Sequence, residues 1–157
     1  MSPERRSLKR TDIEGILPHR RPFMFLESAE IVEPGVKAIG VLADLSHPDF
    51  AFLKGHFPSF PIVPGAILME TLAELSGIAV SSRASGQHNK IGVLRRDAMD
   101  YKQMVKPGDL VQLEAEVFAL KMGIGRSRVK AIKDGKTVVE GEIVFALIDK
   151  PETQLLS

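Results

Sequence analysis

Residues 66–80 read AILMETLAELSGIAV, and the reading of this one stretch decides how the rest of the chain must be arranged. It is rich in helix formers, and Pro64 stands just ahead of it, where a first helical position tolerates a residue without an N–H. The composition predicts one long helix over 66–80. Ile67, Leu68, Met69, Leu72, Leu75, Ile78 and Ala79 nearly encircle it, which is the pattern of a helix enclosed by a core. Something must wrap around it. The flanking segments supply strands: apolar runs over 29–32 and 36–42 are separated by the turn Glu33-Pro34-Gly35. Further runs cover 91–94, 110–120, 124–133 and 137–148, the last two joined by the two-residue hairpin signal Asp134-Gly135. In 110–117, Val111, Leu113, Ala115 and Val117 alternate with Gln112, Glu114 and Glu116, as a half-buried antiparallel strand requires. The expected architecture is α+β, an antiparallel β-sheet wrapped around a long central helix.

The chain has 157 residues, enough for one domain with a sizeable core. Residues 1–10 read as a flexible basic tail, 11–150 as the single domain and 151–157 as a second tail. Thr11-Asp12-Ile13-Glu14 resembles a capping box opening a short helix that ends near Leu17-Pro18. Residues 46–65 carry Pro48, Pro58, Pro61 and Pro64, so a fixed loop without regular structure is expected there. Lys and Arg number 21 against 20 Asp and Glu, a net charge of +1, which gives no global electrostatic case for nucleic acid or an anionic membrane surface. Cysteine is absent, which excludes disulfides and thiolate chemistry and suits a reducing, cytoplasmic location. No run approaches the ~20 apolar residues of a membrane span. No two histidines have metal-ligand spacing on one element, so no metal and no cofactor are expected.

Two ionisable groups interrupt the apolar stretch GHFPSFPIVPGAILME: His56 and Glu70. Read alone, His56 is most simply a loop histidine bonded to a carbonyl among the prolines. Glu70 alone belongs to a polar stripe with Glu74, Gly77 and Ser81 that faces solvent.

In order and spacing, LPHRRPF (17–23), GHFPSFPIVPG (55–65), ILMETLAELSG (67–77) and KPGD (106–109) resemble the hot-dog-fold β-hydroxyacyl-acyl-carrier-protein dehydratases of type II fatty acid synthesis, over roughly residues 12–148. The resemblance implies a hot-dog fold and elimination of water from a (3R)-hydroxyacyl thioester on acyl carrier protein, giving a trans-2-enoyl thioester. It assigns the catalytic pair to His56 and Glu70 and the thioester oxygen to the Gly65 N–H. Neutral imidazole accepts a proton near pH 7, and a carboxyl lodged among Ile67, Leu68 and Met69 is expected to titrate high and hold a proton for the departing hydroxyl. Pro64-Gly65 opens a helix whose free N–H groups can stabilise an oxyanion, and glycine admits the acyl chain closely. Phe57 joins Gly65 and Pro64 as an expected substrate-binding residue. Phe23, Phe25, Phe50, Phe52 and Phe60 are candidates for the acyl tunnel or an interface, with core packing the default.

The resemblance also implies a homodimer whose site takes residues from both protomers, with a hexamer built as a trimer of dimers as the larger assembly. It gives His19 no catalytic role, and His19 is read as bracing the hairpin entry; His47 and His88 read as loop residues. Arg126, Arg128 and Lys130 alternate along one strand face, with Lys121, Lys133 and Lys136 nearby. The plainer reading is a solvated face, the functional one a dock for the acidic carrier protein.

The chain departs from the family's usual pattern at Glu74, normally glutamine, at Ser59-Phe60, at Asp100 and at Glu27-Ser28. Two carboxylates one helical turn apart repel, so one is expected to stay protonated, with Glu70 pushed further up. Two other functions stay open at this level: an acyl thioesterase, which the same fold can host, and a non-catalytic acyl-binding scaffold in a polyketide-type pathway.

Overall fold

The computed structural model describes residues 4–83 and 89–151. Ten elements follow in order: β1 (Arg6–Leu8), α1 (Arg10–Ile16), β2 (Leu26–Glu33), β3 (Lys37–Leu42), a 3-10 segment (Pro48–Gly55), α2 (Gly65–Ser81), β4 (Lys90–Tyr101), β5 (Gln112–Lys121), β6 (Ile124–Lys133) and β7 (Lys136–Asp149). The strands form one seven-stranded sheet in the order β1-β2-β3-β5-β6-β7-β4, and every neighbouring pair is antiparallel. This is the expected hot-dog layout: the sheet curls around α2, which packs against β2, β3, β4, β5 and β6.

Burial explains why α2 forms where it does. Leu72, Leu75, Ile78 and Ala79 are fully buried, and Leu68 nearly so. Each large side chain removed from water contributes about 1.5–3 kcal/mol, far more than helix propensity alone. At Gly40 on β3 an added Cβ would lie 2.9 Å from the Leu26 side chain and 3.2 Å from that of Leu75, so a bare backbone lets the helix press onto the sheet there. Polar atoms inside this layer are satisfied: the Thr71 and Ser76 hydroxyls donate to the Ile67 and Leu72 carbonyls, and Ser76 also meets Ser127 of β6 at 2.8 Å. Pro64 is one position earlier than expected. It is the cap residue itself (φ −56°, ψ 138°), and Gly65 begins the helix.

The turns follow their residues. Asp134 and Gly135 both take positive φ (51° and 73°), as a hairpin joining adjacent antiparallel strands by two residues requires, and Gly35 at φ 75° reverses the chain between β2 and β3. The KPGD turn is held by Asp109, whose carboxylate accepts from the Lys106 N–H and from Lys133.

Three expectations need correction. The N-terminal tail is not free throughout: Arg6–Leu8 pairs with Ile31–Ala29 as an edge strand, with Leu8 buried. A three-residue strand has too few positions to display an alternating pattern. Helix α1 begins at Arg10, closed by the Asp12 carboxylate accepting from the Lys9 N–H at 2.8 Å, two residues ahead of the anticipated cap. The proline-rich loop is partly helical: Pro48–Gly55 winds into 3-10 turns, started by His47 Nδ1 accepting from the Asp49 N–H and anchored by buried Phe50 and Leu53. Proline at the start of such a turn sacrifices an N–H that had no partner anyway.

β4 is longer than its apolar run. It pairs with β7 along its whole length, Lys90↔Asp149 to Tyr101↔Val139, although RRDAMDY (95–101) carries no strand-like alternation. Its outer edge has no partner among the described residues, and Val93, Leu94 and Tyr101 are exposed. His88 and the chain from residue 152 onward lie outside the described residues.

Candidate active site

His56 closes the 3-10 segment at the head of a tight loop. The Ile62 N–H donates to the His56 carbonyl at 3.0 Å, and Phe57 and Phe60 exchange backbone hydrogen bonds, so the loop that holds Pro58 and Pro61 is tied back on itself. The imidazole is half-buried and stacks on the Phe57 ring, with centroids 4.5 Å apart; the peptide between the two residues is cis. Its Nδ1 lies 3.1 Å from the Ile62 carbonyl oxygen. A carbonyl can only accept, so Nδ1 carries the hydrogen, and in the neutral ring Nε2 is left with a lone pair. The plain reading of His56 as a histidine bonded to a backbone carbonyl is correct, and that bond leaves Nε2 without a partner among the described residues.

Glu70 lies on the first turns of α2 and is half-buried. Its Oε1 is 3.2 Å from His19 Nε2, a contact across 51 residues that pattern reading did not anticipate. His19 therefore does not brace the hairpin entry; Arg21 does. The Arg21 guanidinium bonds Glu27 at 3.0 Å and Asp49 at 3.1 Å and lies 5.0 Å above the Phe50 ring. No hydrogen bond or ion pair joins His56 to Glu70 within the protomer: the imidazole is tied to Ile62 and the carboxylate to His19.

One turn on, Glu74 overturns the reading of a solvent-facing stripe. It is 1 % exposed. Its two carboxyl oxygens accept from the Phe25 N–H at 3.2 Å, and Oε2 also from the Leu26 N–H at 3.1 Å, at the start of β2. Burial pushes this carboxyl up from the ordinary 4.5 to about 8; the Phe25 and Leu26 N–H groups oppose the rise and the charge of Glu70 adds to it. A desolvated acid therefore stands at position 74. The helical period placed Gly77 on a wet face, yet Leu17 packs so closely there that a Cβ on Gly77 would meet its side chain at 3.0 Å. The segment after α1 roofs the stripe.

His19, Glu70 and Glu74 each bring one potential ligand atom within 4.8 Å of the others. The donor set does not suit a cation, because both Glu74 oxygens already serve backbone N–H groups and the carboxyl releases its proton only near pH 8. These three residues stand at one end of a cavity of about 270 Å³ that continues between α2 and the β4–β7 pair, past Ala73, Val80, Leu94, Ile143 and Leu147. Beyond the cluster its lining is mostly apolar, with Ser81 and Lys90 the polar exceptions.

At the helix start, the Gly65 and Ala66 N–H groups have no acceptor among the described residues, while the Ile67 N–H turns back to Pro64 at 2.9 Å. The Tyr101 ring covers this turn so closely that a Cβ on Gly65 would sit 2.8 Å from it. Of the phenylalanines, Phe25 and Phe50 are core, whereas Phe23, Phe52, Phe57 and Phe60 are about half exposed. The basic stripe is neutralised: Arg126 bonds Glu142, Lys130 meets Glu114 at 3.1 Å, and Arg128 lies near Glu116 and 4.0 Å above the Phe118 ring.

Comparison with known proteins gives three findings. A family model for the FabA-like domain matches residues 17–147. Among curated proteins, the 3-hydroxyacyl-acyl-carrier-protein dehydratase FabZ of Ruminiclostridium cellulolyticum is 41% identical over 142 residues, covering 89% of this chain and 97% of the relative. That of Acetivibrio thermocellus is 38% identical over 144 residues, with 90% and 96% covered. Among solved structures, a chain of the dehydratase heterocomplex ApeI:P from Xenorhabdus doucetiae superposes with a TM-score of 0.72 at 15% identity, covering 92% of this chain and 94% of the other.

Proposed function

The chain belongs to the FabA-like domain family, and on that premise we propose that it is a dehydratase acting on (3R)-hydroxyacyl thioesters of acyl carrier protein, with His56 and Glu70 as the reacting pair. The observation that carries this reading is the His56 tautomer. With Nδ1–H committed to the Ile62 carbonyl, the only proton-accepting atom of the ring is Nε2. In the reaction, Nε2 takes a proton from the carbon next to the thioester carbonyl. That C–H pair becomes the new double bond, the bond from C3 to its hydroxyl breaks, and the proton taken by Nε2 passes to the departing hydroxyl, which the Glu70 carboxylate holds by accepting its O–H, so that water leaves and the imidazole returns neutral. Charge gathering on the thioester oxygen is met by the free N–H of Gly65 at the positive end of a 17-residue helix. The apolar cavity beyond Glu70 suits the acyl tail, and no cofactor is needed because nothing is oxidised or reduced.

Completion of the site requires a second copy. His56 and Glu70 are unconnected within one protomer, and the protomer offers a surface that a copy could cover: the unpaired edge of β4 with Val93, Leu94 and Tyr101 beside exposed Phe57 and Phe60. A long apolar edge is rarely left open to water, and two-fold pairing of such edges is the simplest closure. A homodimer of this kind supplies His56 from one protomer and Glu70 from its partner.

Hydration of a trans-2-enoyl thioester, read as loss of enoyl absorbance, tests both claims. Wild type should hydrate it, and His56→Ala and Glu70→Gln should each lose at least about a hundredfold in rate. Mixed after unfolding and refolding together, the two inactive variants should recover about a quarter of wild-type activity, because half the dimers are mixed and each has one intact site. Release of free thiol instead of hydration makes the protein a thioesterase. Neither reaction makes it a scaffold, and absence of recovery on mixing puts both residues in one protomer.

A further inference from the structure

Glu74 has no part in the reaction just described, yet it is the most buried carboxyl in the protein and stands one turn behind Glu70. The groups around it are few. From its own helix comes Glu70, and from the segment between α1 and β2 comes His19. From the start of β2 and the residue before it come the Leu26 and Phe25 N–H groups. Arg20 is spent on the Leu17 and His19 carbonyls, Arg21 on Glu27 and Asp49. Lys90, on the β4 wall of the cavity, is paired with Asp149. Among the described residues, each of these nearby cations is engaged elsewhere and none pairs with Glu74.

Resting on the dehydratase reading, we propose that Glu74 is a positioning residue for Glu70: held neutral by its enclosure, it leaves Glu70 as the sole negative charge in the cluster and so keeps the His19–Glu70 hydrogen bond, and with it the aim of the outer carboxylate, intact. When Glu74 loses its proton, a second anion within 4.8 Å of both partners competes for His19 Nε2 and repels the Glu70 oxygens. Glu70 is then displaced from the geometry in which it serves the departing hydroxyl. The two carboxyls lie within 4.8 Å of one another, close enough to couple through charge.

Glutamine is the test residue, since it reproduces the neutral acid in shape, accepts from Phe25 and Leu26 through its amide oxygen and cannot ionise. The imidazole nitrogen signals of His19, followed by NMR in the dimeric wild-type protein from about pH 6 to about pH 10, should show a step near pH 8 as Glu74 ionises, and Glu74→Gln should abolish that step. Turnover should follow: the alkaline loss of kcat in wild type should move up by at least about one pH unit in Glu74→Gln. Glu74→Ala, which strands two N–H groups, should lose at least about tenfold in kcat at neutral pH, and the glutamine variant should rescue it. A His19 signal without a step near pH 8 in wild type, or the same step in Glu74→Gln, overturns the proposal whether or not the protein turns over an enoyl thioester. A wild type that fails to hydrate the substrate but shows the glutamine-sensitive step overturns the dehydratase reading alone.

Discussion

Replacing Glu74 by glutamine should change how stability depends on pH, and the size of the change can be worked from one buried group. In the unfolded chain this carboxyl titrates at the ordinary 4.5; folded, it titrates at about 8. Between those values the folded protein holds a proton that the unfolded chain has released, so stability is full below about pH 4.5, falls as pH rises and levels off once the folded carboxyl has also ionised. Each pH unit across that interval is worth about 1.4 kcal/mol, which puts the whole loss at an upper limit of about 5 kcal/mol. Glutamine removes the titration while keeping an acceptor for Phe25 and Leu26. Urea unfolding at fixed protein concentration, from about pH 5 to about pH 9, should therefore give two diverging curves. Wild type loses several kcal/mol relative to Glu74→Gln across the range, and the difference should sit almost wholly in the midpoint, not the slope. Curves that stay parallel within about 0.5 kcal/mol would falsify the assignment of Glu74 as the enclosed acid.

Other outcomes follow from single contacts. Leu72→Ala should cost about 3 kcal/mol in the same unfolding assay, because a fully buried helix residue leaves a cavity that the surrounding sheet cannot close. Ser127→Ala should cost about 1 kcal/mol and no more, since the Ser76 hydroxyl keeps the Leu72 carbonyl; a loss above about 3 kcal/mol would contradict that account. Gly65→Ala should leave the melting temperature within a few degrees, alanine being at ease in a first helical turn, yet cut kcat/KM at least about tenfold as the Tyr101 ring is driven off the helix start. Arg126→Ala and Arg128→Ala, at a face already neutralised by Glu142 and Glu116, should each alter KM for a carrier-bound substrate by less than about twofold, and a larger salt-sensitive rise would make that face the carrier dock.

The central helix was legible because its signal is one-dimensional. Residues 66–80 state their own burial through composition, and the structure returns Gly65–Ser81. The hairpins at Gly35 and Asp134-Gly135 were legible for the same reason, a turn being decided by two or three adjacent residues. β4 was only partly legible. Its first residues alternate, but Arg95–Tyr101 is extended because β7 pairs with it, a cause that lies about forty residues away in sequence. Glu74 was misread for a related reason: helical periodicity sorts residues by direction around one axis and has no knowledge of Leu17 or of the Phe25 and Leu26 N–H groups that arrive from elsewhere. His19 was misread as a brace because its meaning is the identity of its partner.

Two histidines stand near this site, and backbone chemistry separates their uses without any reference to relatives. The ring of His56 meets a carbonyl, which accepts only; the neutral tautomer is fixed, and the remaining nitrogen must be basic. The ring of His19 meets a carboxylate, also an acceptor, at Nε2, so the nitrogen nearest Glu70 is the one that carries hydrogen and cannot take a proton from substrate. Its Nδ1 is buried without a hydrogen-bond partner among the described residues. Of these two histidines, His56 leaves Nε2 open as an acceptor, on a loop whose carbonyl and amide groups are tied back on one another, while Glu70 bonds His19 on a different element. His56 and Glu70 are each held by other partners within one protomer and share no hydrogen bond there, so on the proposed dehydratase reading activity should depend on assembly.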